Sequence, residues 1–289
     1  MQSMLEILEG EINNIKDTLK ELLNHSSIKK MYLNVPGFSL PPGYHDWQPL
    51  NEESQQLQSK AKEVYNHYSE IINNLLRKQP KNNIKKIEQS EKDINSIIEQ
   101  NKHTFLKNTQ EALNKIKESF EIQKEVLYSL YSPDGKIPIY VPDTNALLKN
   151  PVIENWSFPD CQKFKILLTS TVLSELDKLK IEHRNEGVRE KSEKIIKQIK
   201  EYRRRGKLHD GVTIKKDIIK LFTLPTEPSM KEIPDSLDEH NNDDRIIATM
   251  LEIVRKYPRS YVILVTRDIN LQNKADYWLI PFCEPPENK

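Results

Sequence analysis

IPIYVPDTNALL, residues 137–148, changes grammar halfway along. The part up to Val141 is short, apolar and β-rich, as a strand is. From Asp143–Asn145 the chain reads as the opening of a helix. SPDGK, immediately upstream, is a turn signal. Downstream the same alternation repeats. Strands are expected at 137–141, 165–169, 212–215, 261–266 and 279–283. Helices are expected at 171–180, 186–205 and 243–256, with a short one after residue 268. Alternation on this scale predicts an α/β domain over residues 132–289, a parallel sheet with helices on both faces. In such sheets ligands bind beyond the carboxyl ends of the strands.

That rule gives meaning to the acids. Asp143 follows IYV, Glu175 lies one turn into the helix after ILLTSTV, Asp243 and Asp244 open DDRIIATMLEI, and Asp268 follows YVILV. Each alone has a plain explanation as a helix N-cap or a surface charge. Together they bring carboxylates from several segments to one sheet edge. Two carboxylates 4 Å apart repel by about 4 kcal/mol at an effective dielectric of 20, so such a cluster is costly without a cation. An oxygen-only donor set, with no Cys or His cluster beside it, suits Mg2+ or Mn2+. Ions held in this way serve in-line phosphodiester hydrolysis. Asp177, two residues from Glu175 on the same helix, points elsewhere.

Residues 1–131 have a different texture. Leu5, Leu8, Ile12, Ile15, Leu19 and Leu22 form a coiled-coil-like seam, and Leu57, Ala61, Val64, Tyr68, Ile71 and Leu75 form a second. Pro80 marks a stop, and a third helix is expected from about Asn82 to Tyr131. Its spacing drifts from strict heptads, which predicts an all-α bundle or hairpin rather than a long parallel dimer. The stretch MYLNVPGFSLPPGYHDWQPL, residues 31–50, is excluded from helix by its prolines and reads as a structured connection, with a docking surface as the functional alternative. His25, His45, His67 and His103 are scattered and suggest no catalytic spacing.

Composition narrows the function classes. There are 44 Lys+Arg against 43 Asp+Glu, so nucleic-acid binding would need a local basic patch rather than a global field. One exists in EKSEKIIKQIKEYRRRGK, where Lys194, Lys197, Lys200, Arg203, Arg204 and Arg205 surround a helix whose other face carries Ile195, Ile196, Ile199 and Tyr202. Such a run is either a solvated face or a set of phosphate contacts. Only seven glycines occur and no GxxxxGK[ST], which argues against a phosphate-cradling ATPase or kinase. No apolar run is long enough to span a bilayer, and acids in the first ten residues argue against a signal peptide. Cys161 and Cys283 fit packing in a reducing cytoplasm better than a disulfide.

VPDTNALL, VLSELDKLK, NDDRIIATM and ILVTRDINLQNKA, taken in that order, resemble the PIN-domain nucleases. The wording is similar to the branch in phosphate-starvation-type ATPases and eukaryotic RNA-surveillance nucleases, although no ATPase domain follows. The likeness covers roughly residues 136–285 and leaves the helical half unexplained. It implies a metal-dependent endoribonuclease, with products bearing 5′-phosphate and 3′-hydroxyl ends. Asp143 would be the principal metal ligand, with Asp243 and Asp268 as further ligands. Glu175 would hold or help activate the attacking water. The D-x-x-I register favours Asp243, paired with Ile246, and leaves Asp244 as an extra ligand or a supporting group. Asn145 and Thr266 would orient the carboxylates. RNA is the implied substrate, and the helical half would serve self-association, partner binding or restraint. A DNase of the same chemistry and a non-catalytic scaffold in a ribonucleoprotein are the alternatives.

Overall fold

The leucine seam at the start of the chain folds as α1 (Met4–Asn24), opened by a capping box. The Ser3 hydroxyl accepts from the Glu6 N–H at 3.3 Å and the Glu6 carboxylate accepts from the Ser3 N–H at 2.6 Å. The computed structural model describes residues 2–31, 44–101, 103–135, 137–159, 161–224, 226, 234 and 236–287. They fall into two units, one spanning Leu8–Leu130 and the other Met1–Ile7 with Tyr131–Lys289.

After α1 the helical unit continues with β1 (Ile28–Lys30), β2 (His45–Trp47), α2 (Glu52–Leu75), α3 (Lys81–Glu99), β3 (His103–Thr104) and α4 (Thr109–Tyr131). The helices run antiparallel to their neighbours, as side-chain contacts show. Gln58 donates to the Ile98 carbonyl at 2.7 Å, and Ser69 bonds Glu91, so α2 and α3 run in opposite directions. Lys115 pairs with Asp93 at 2.8 Å and Gln123 donates to Ser90 at 3.0 Å, which fixes α3 against α4. Lys16–Glu121 at 3.3 Å and Lys124–Glu9 at 3.5 Å close α4 back onto α1. Ile15, Leu19, Leu22, Tyr68 and Ile71 of the expected seams are buried, together with Tyr65, Ile94, Ile116 and Phe120.

Two expectations for this half need correction. The helix expected over residues 82–131 is two helices. Gln100 adopts φ 48°, a left-handed conformation that ends α3, and Asn108 accepts from the Glu111 N–H at 2.9 Å to start α4. Phe105 lies in the break and is 72% exposed. A small antiparallel sheet, order β1-β2-β3, is also absent from the sequence pattern. Most of the stretch read as a structured connection, residues 32–43, lies outside the described residues.

The second unit carries β4 (Ile139–Pro142), α5 (Thr144–Lys149), β5 (Phe164–Leu168), α6 (Ser170–Glu182), α7 (Glu186–Arg205), β6 (Val212–Lys215), β7 (Ile219–Thr223), α8 (Asn242–Lys256), β8 (Val262–Val265), α9 (Ile269–Tyr277) and β9 (Phe282–Cys283). Among the described residues its strands form one sheet in the order β6-β7-β5-β4-β8-β9, parallel except at the β6–β7 edge. This is the expected α/β architecture with one added antiparallel hairpin. The sequence pattern missed β7 because the turn before it uses Asp217 at φ 59° instead of a glycine. Tyr140, Ile166, Leu168, Ile263 and Val265 share a core with Val172, Leu176, Ile195 and Ile199 of α6 and α7. Tyr140 stacks on Phe158 with ring centroids 3.6 Å apart. Cys161 and Cys283 are free thiols packed against the same core, as their expected packing role requires. No helix among the described residues is long and apolar enough to cross a membrane.

Candidate active site

β4 ends where its parallel neighbour β8 ends, with Pro142 opposite Val265. The next residue, Asp143, therefore emerges at the carboxyl edge of the sheet, its N–H donating to the Val265 carbonyl at 3.0 Å. Its side chain caps α5 by accepting from the Ala146 N–H at 2.6 Å. The other carboxylate oxygen accepts from the Thr266 hydroxyl at 2.5 Å. That hydroxyl also accepts from the Asp268 N–H at 3.0 Å, so one threonine ties together the ends of β4 and β8. Asp268 caps α9 through the N–H groups of Asn270 and Leu271.

Glu175 reaches the same edge from α6, whose N-terminus follows β5. Its Oε2 accepts from the Thr144 hydroxyl at 2.7 Å. Glu175 Oε1 has no protein donor among the described residues. Asp243 and Asp244 sit in the first turn of α8, whose cap is Asn241 rather than Asp243. Asp243 is half-buried. Asp244 is buried, with Oδ1 2.5 Å from Lys274 Nζ and Oδ2 accepting from the Asp238 N–H at 3.1 Å.

Electrostatics shows how these groups share a field. Burial pushes the Asp143 carboxyl up to about 6, against the hydrogen bonds from Thr266 and the Ala146 N–H, and the charges of Asp268 and Glu175 raise it further. Asp243 is also raised, by burial first. The Lys274 ammonium opposes that rise, while Asp268 and Asp244 add to it. Asp268 is the neighbour common to both. The acids thus form a linked row rather than a closed shell. Among the described residues no three Asp, Glu, His or Cys side chains are gathered ready to coordinate one ion. The reason is visible in their partners: Glu175 is turned to Thr144, Asp143 to Thr266, Asp268 to its own helix and Asp244 to Lys274. In chemistry the donor set fits a hard divalent ion, being carboxylate oxygen throughout.

Asn145 is exposed on α5 and, among the described residues, makes no hydrogen bond to these acids; Thr144 makes the contact to Glu175. One residue earlier on the helix turns the side chain by about 100°, toward α6. Thr266 contacts Asp143. Sequence reasoning also missed Lys274, whose only signal is a lysine six residues after Asp268. Asp177 is exposed and paired with Lys180 at 2.5 Å, away from the row as its register predicts.

The basic helix divides into two parts. Lys200, Arg203, Arg204 and Arg205 of α7, with Lys207 beyond it, line a cleft of about 680 Å³ whose apolar wall includes Ile199 and Leu208. Lys194 and Lys197 are exposed but lie outside that lining. Lys197 pairs with Glu193 at 2.7 Å and Arg204 with Glu201 at 2.5 Å, exposed contacts that solvent screens. Leu173 and Asp177 of α6 also border the cleft. Both are two residues from Glu175, so the cleft and the acids occupy different sides of that helix.

Comparison with known proteins agrees with this geometry. No curated protein matches the chain. Residues 140–282 match the family model of the PIN domain, a fold found generally in nucleases, some members being inactive, and typically served by Mg2+ or Mn2+. The match begins in β4 and ends in β9, spanning the six-stranded sheet and the acids at its edge. The C-terminal half of this chain is therefore a member of the PIN-domain family.

Proposed function

We propose that this protein is a divalent-metal-dependent endoribonuclease, with the row of acids as its centre and the helical half as a module for self-association or partner binding. The observation that carries the reading is Asp143: a buried carboxyl whose principal charged neighbours are two more carboxylates. A fold bears that cost most readily where a cation is meant to sit. Asp143, Asp243 and Asp268 would hold the ion, Mg2+ or Mn2+. When bound, such an ion polarises the phosphate and makes water a stronger acid. Glu175 accepts the proton of the attacking water at Oε1, while Thr144 keeps Oε2 fixed. Thr266 holds Asp143 in place by a donor that carries no charge of its own. The cations of the α7 cleft bind backbone phosphates on the far side of α6, so they position the strand without approaching the reacting phosphorus.

The test uses the purified full chain with end-labelled single-stranded RNA and the same sequence as DNA, in Mn2+, Mg2+ or EDTA. Internal cuts in RNA that require the metal are expected. Cleavage of DNA at the same rate would move the assignment to a DNase, and cleavage of neither would leave a scaffold.

A further inference from the structure

The row of acids is electrostatically uneven. At one end the Asp143 carboxylate is held by neutral donors, the Thr266 hydroxyl and the Ala146 N–H. At the other end Lys274 reaches from α9 to α8, placing Nζ 2.5 Å from the buried Asp244. Each oxygen of the Asp244 carboxylate is already engaged, one by the ammonium and the other by the Asp238 N–H. An ion binding there would have to displace a charge-assisted bond already made in a buried position. It would also lie beside an ammonium tethered to the chain, and like charges that close repel strongly.

We infer that Lys274 is the fixed cation of this site: it removes Asp244 from the ligand set and leaves Asp143, Asp268 and Asp243 to hold a single divalent ion, with Glu175 serving the attacking water. The inference rests on the metal-dependent reading above and deepens it. It also settles the choice between the adjacent aspartates, since Asp243 is the ligand and Asp244 the anchor for Lys274. Lys274 acts through Asp244 and is a positioning residue.

The experiment counts ions. Mn2+ is titrated into the full-length protein near neutral pH, and free Mn2+ is read from its paramagnetic resonance signal, with calorimetry alongside. Wild type should bind one Mn2+ per chain. Lys274→Met, which leaves Asp244 buried and uncompensated, should bind two. Lys274→Arg, which keeps the charge, should bind one. The double variant Asp244→Asn with Lys274→Met replaces the ion pair by a neutral pair, a change folds often tolerate. It should keep one ion with affinity within about tenfold of wild type. It also decides the matter if Lys274→Met alone does not fold, because loss of the ion from the double variant would make Asp244 a ligand. Two ions in wild type, or one in a folded Lys274→Met, would overturn the inference and leave the nuclease reading standing. No Mn2+ bound to wild type would overturn both.

Discussion

Burial pushes the Asp143 carboxyl up from 3.8, the value of an ordinary aspartate, to about 6 in the folded protein. Between those values the native state holds more protons than the unfolded chain, so stability falls as pH rises through the window. At neutral pH the cost is on the order of 3 kcal/mol. Asp143→Asn removes the charge and keeps an oxygen for the Ala146 N–H. In EDTA the variant should melt above wild type at pH 7.5, and the gap should close as pH falls toward 4. A gap that does not change with pH would show that ionisation of Asp143 is not its source. Mn2+ should narrow or reverse the order, because an ion bound only to folded wild type adds about 2.7 kcal/mol at a hundredfold excess over its Kd. Asp143, Glu175 and Asp268 were legible in the sequence because each follows a strand or opens the helix after one. Thr144 was not, because its value depends on α6 packing against α5. Lys274 was not, because a lysine on a short helix looks like any surface charge.

At the scale of elements, α7 runs between the ends read for it, with Asn185 capping its start, buried isoleucines along one face and arginines in its last turn. Which of its cations share a cleft was invisible, since the lysines recur every three residues and drift around the helix. Lys200→Ala, Arg203→Ala and Lys207→Ala together should weaken RNA binding about equally across sequences. The slope of log K against log salt should fall by about 2, at roughly 0.7 for each phosphate no longer neutralised. Lys194→Ala with Lys197→Ala should leave that slope nearly unchanged. If the two sets behave alike, the cleft has no special part in binding. The break between α3 and α4 and the strand β7 escaped the sequence pattern for one shared reason. Each depends on a left-handed residue, Gln100 or Asp217, that is not a glycine. Such positions are imposed by packing rather than by local preference.

At the scale of the whole molecule, the α/β half was legible because the spacing of strands, helices and terminal acids agreed on one architecture. For the helical half the apolar seams predicted a bundle but not its small sheet, whose strands are only two or three residues long. The Leu8–Leu130 unit has its own buried core and interhelical ion pairs. A fragment of residues 8–130 should therefore be strongly helical by circular dichroism and unfold in one cooperative transition. A disordered spectrum at every concentration would contradict this.

The central claim is that four acids from separate segments form one ion-dependent centre for cutting RNA. It is tested most directly by the initial rate of RNA cleavage in Mn2+ for Asp143→Asn, Glu175→Gln, Asp243→Asn, Asp268→Asn and Asp177→Asn at matched protein concentration. The first four should each lose on the order of a hundredfold or more, the size typical of removing an electrostatic or general-base contribution. Asp177→Asn, on α6 but facing away, should cleave like wild type. A row of near-equal rates, with Asp143→Asn no slower than Asp177→Asn, would contradict the account.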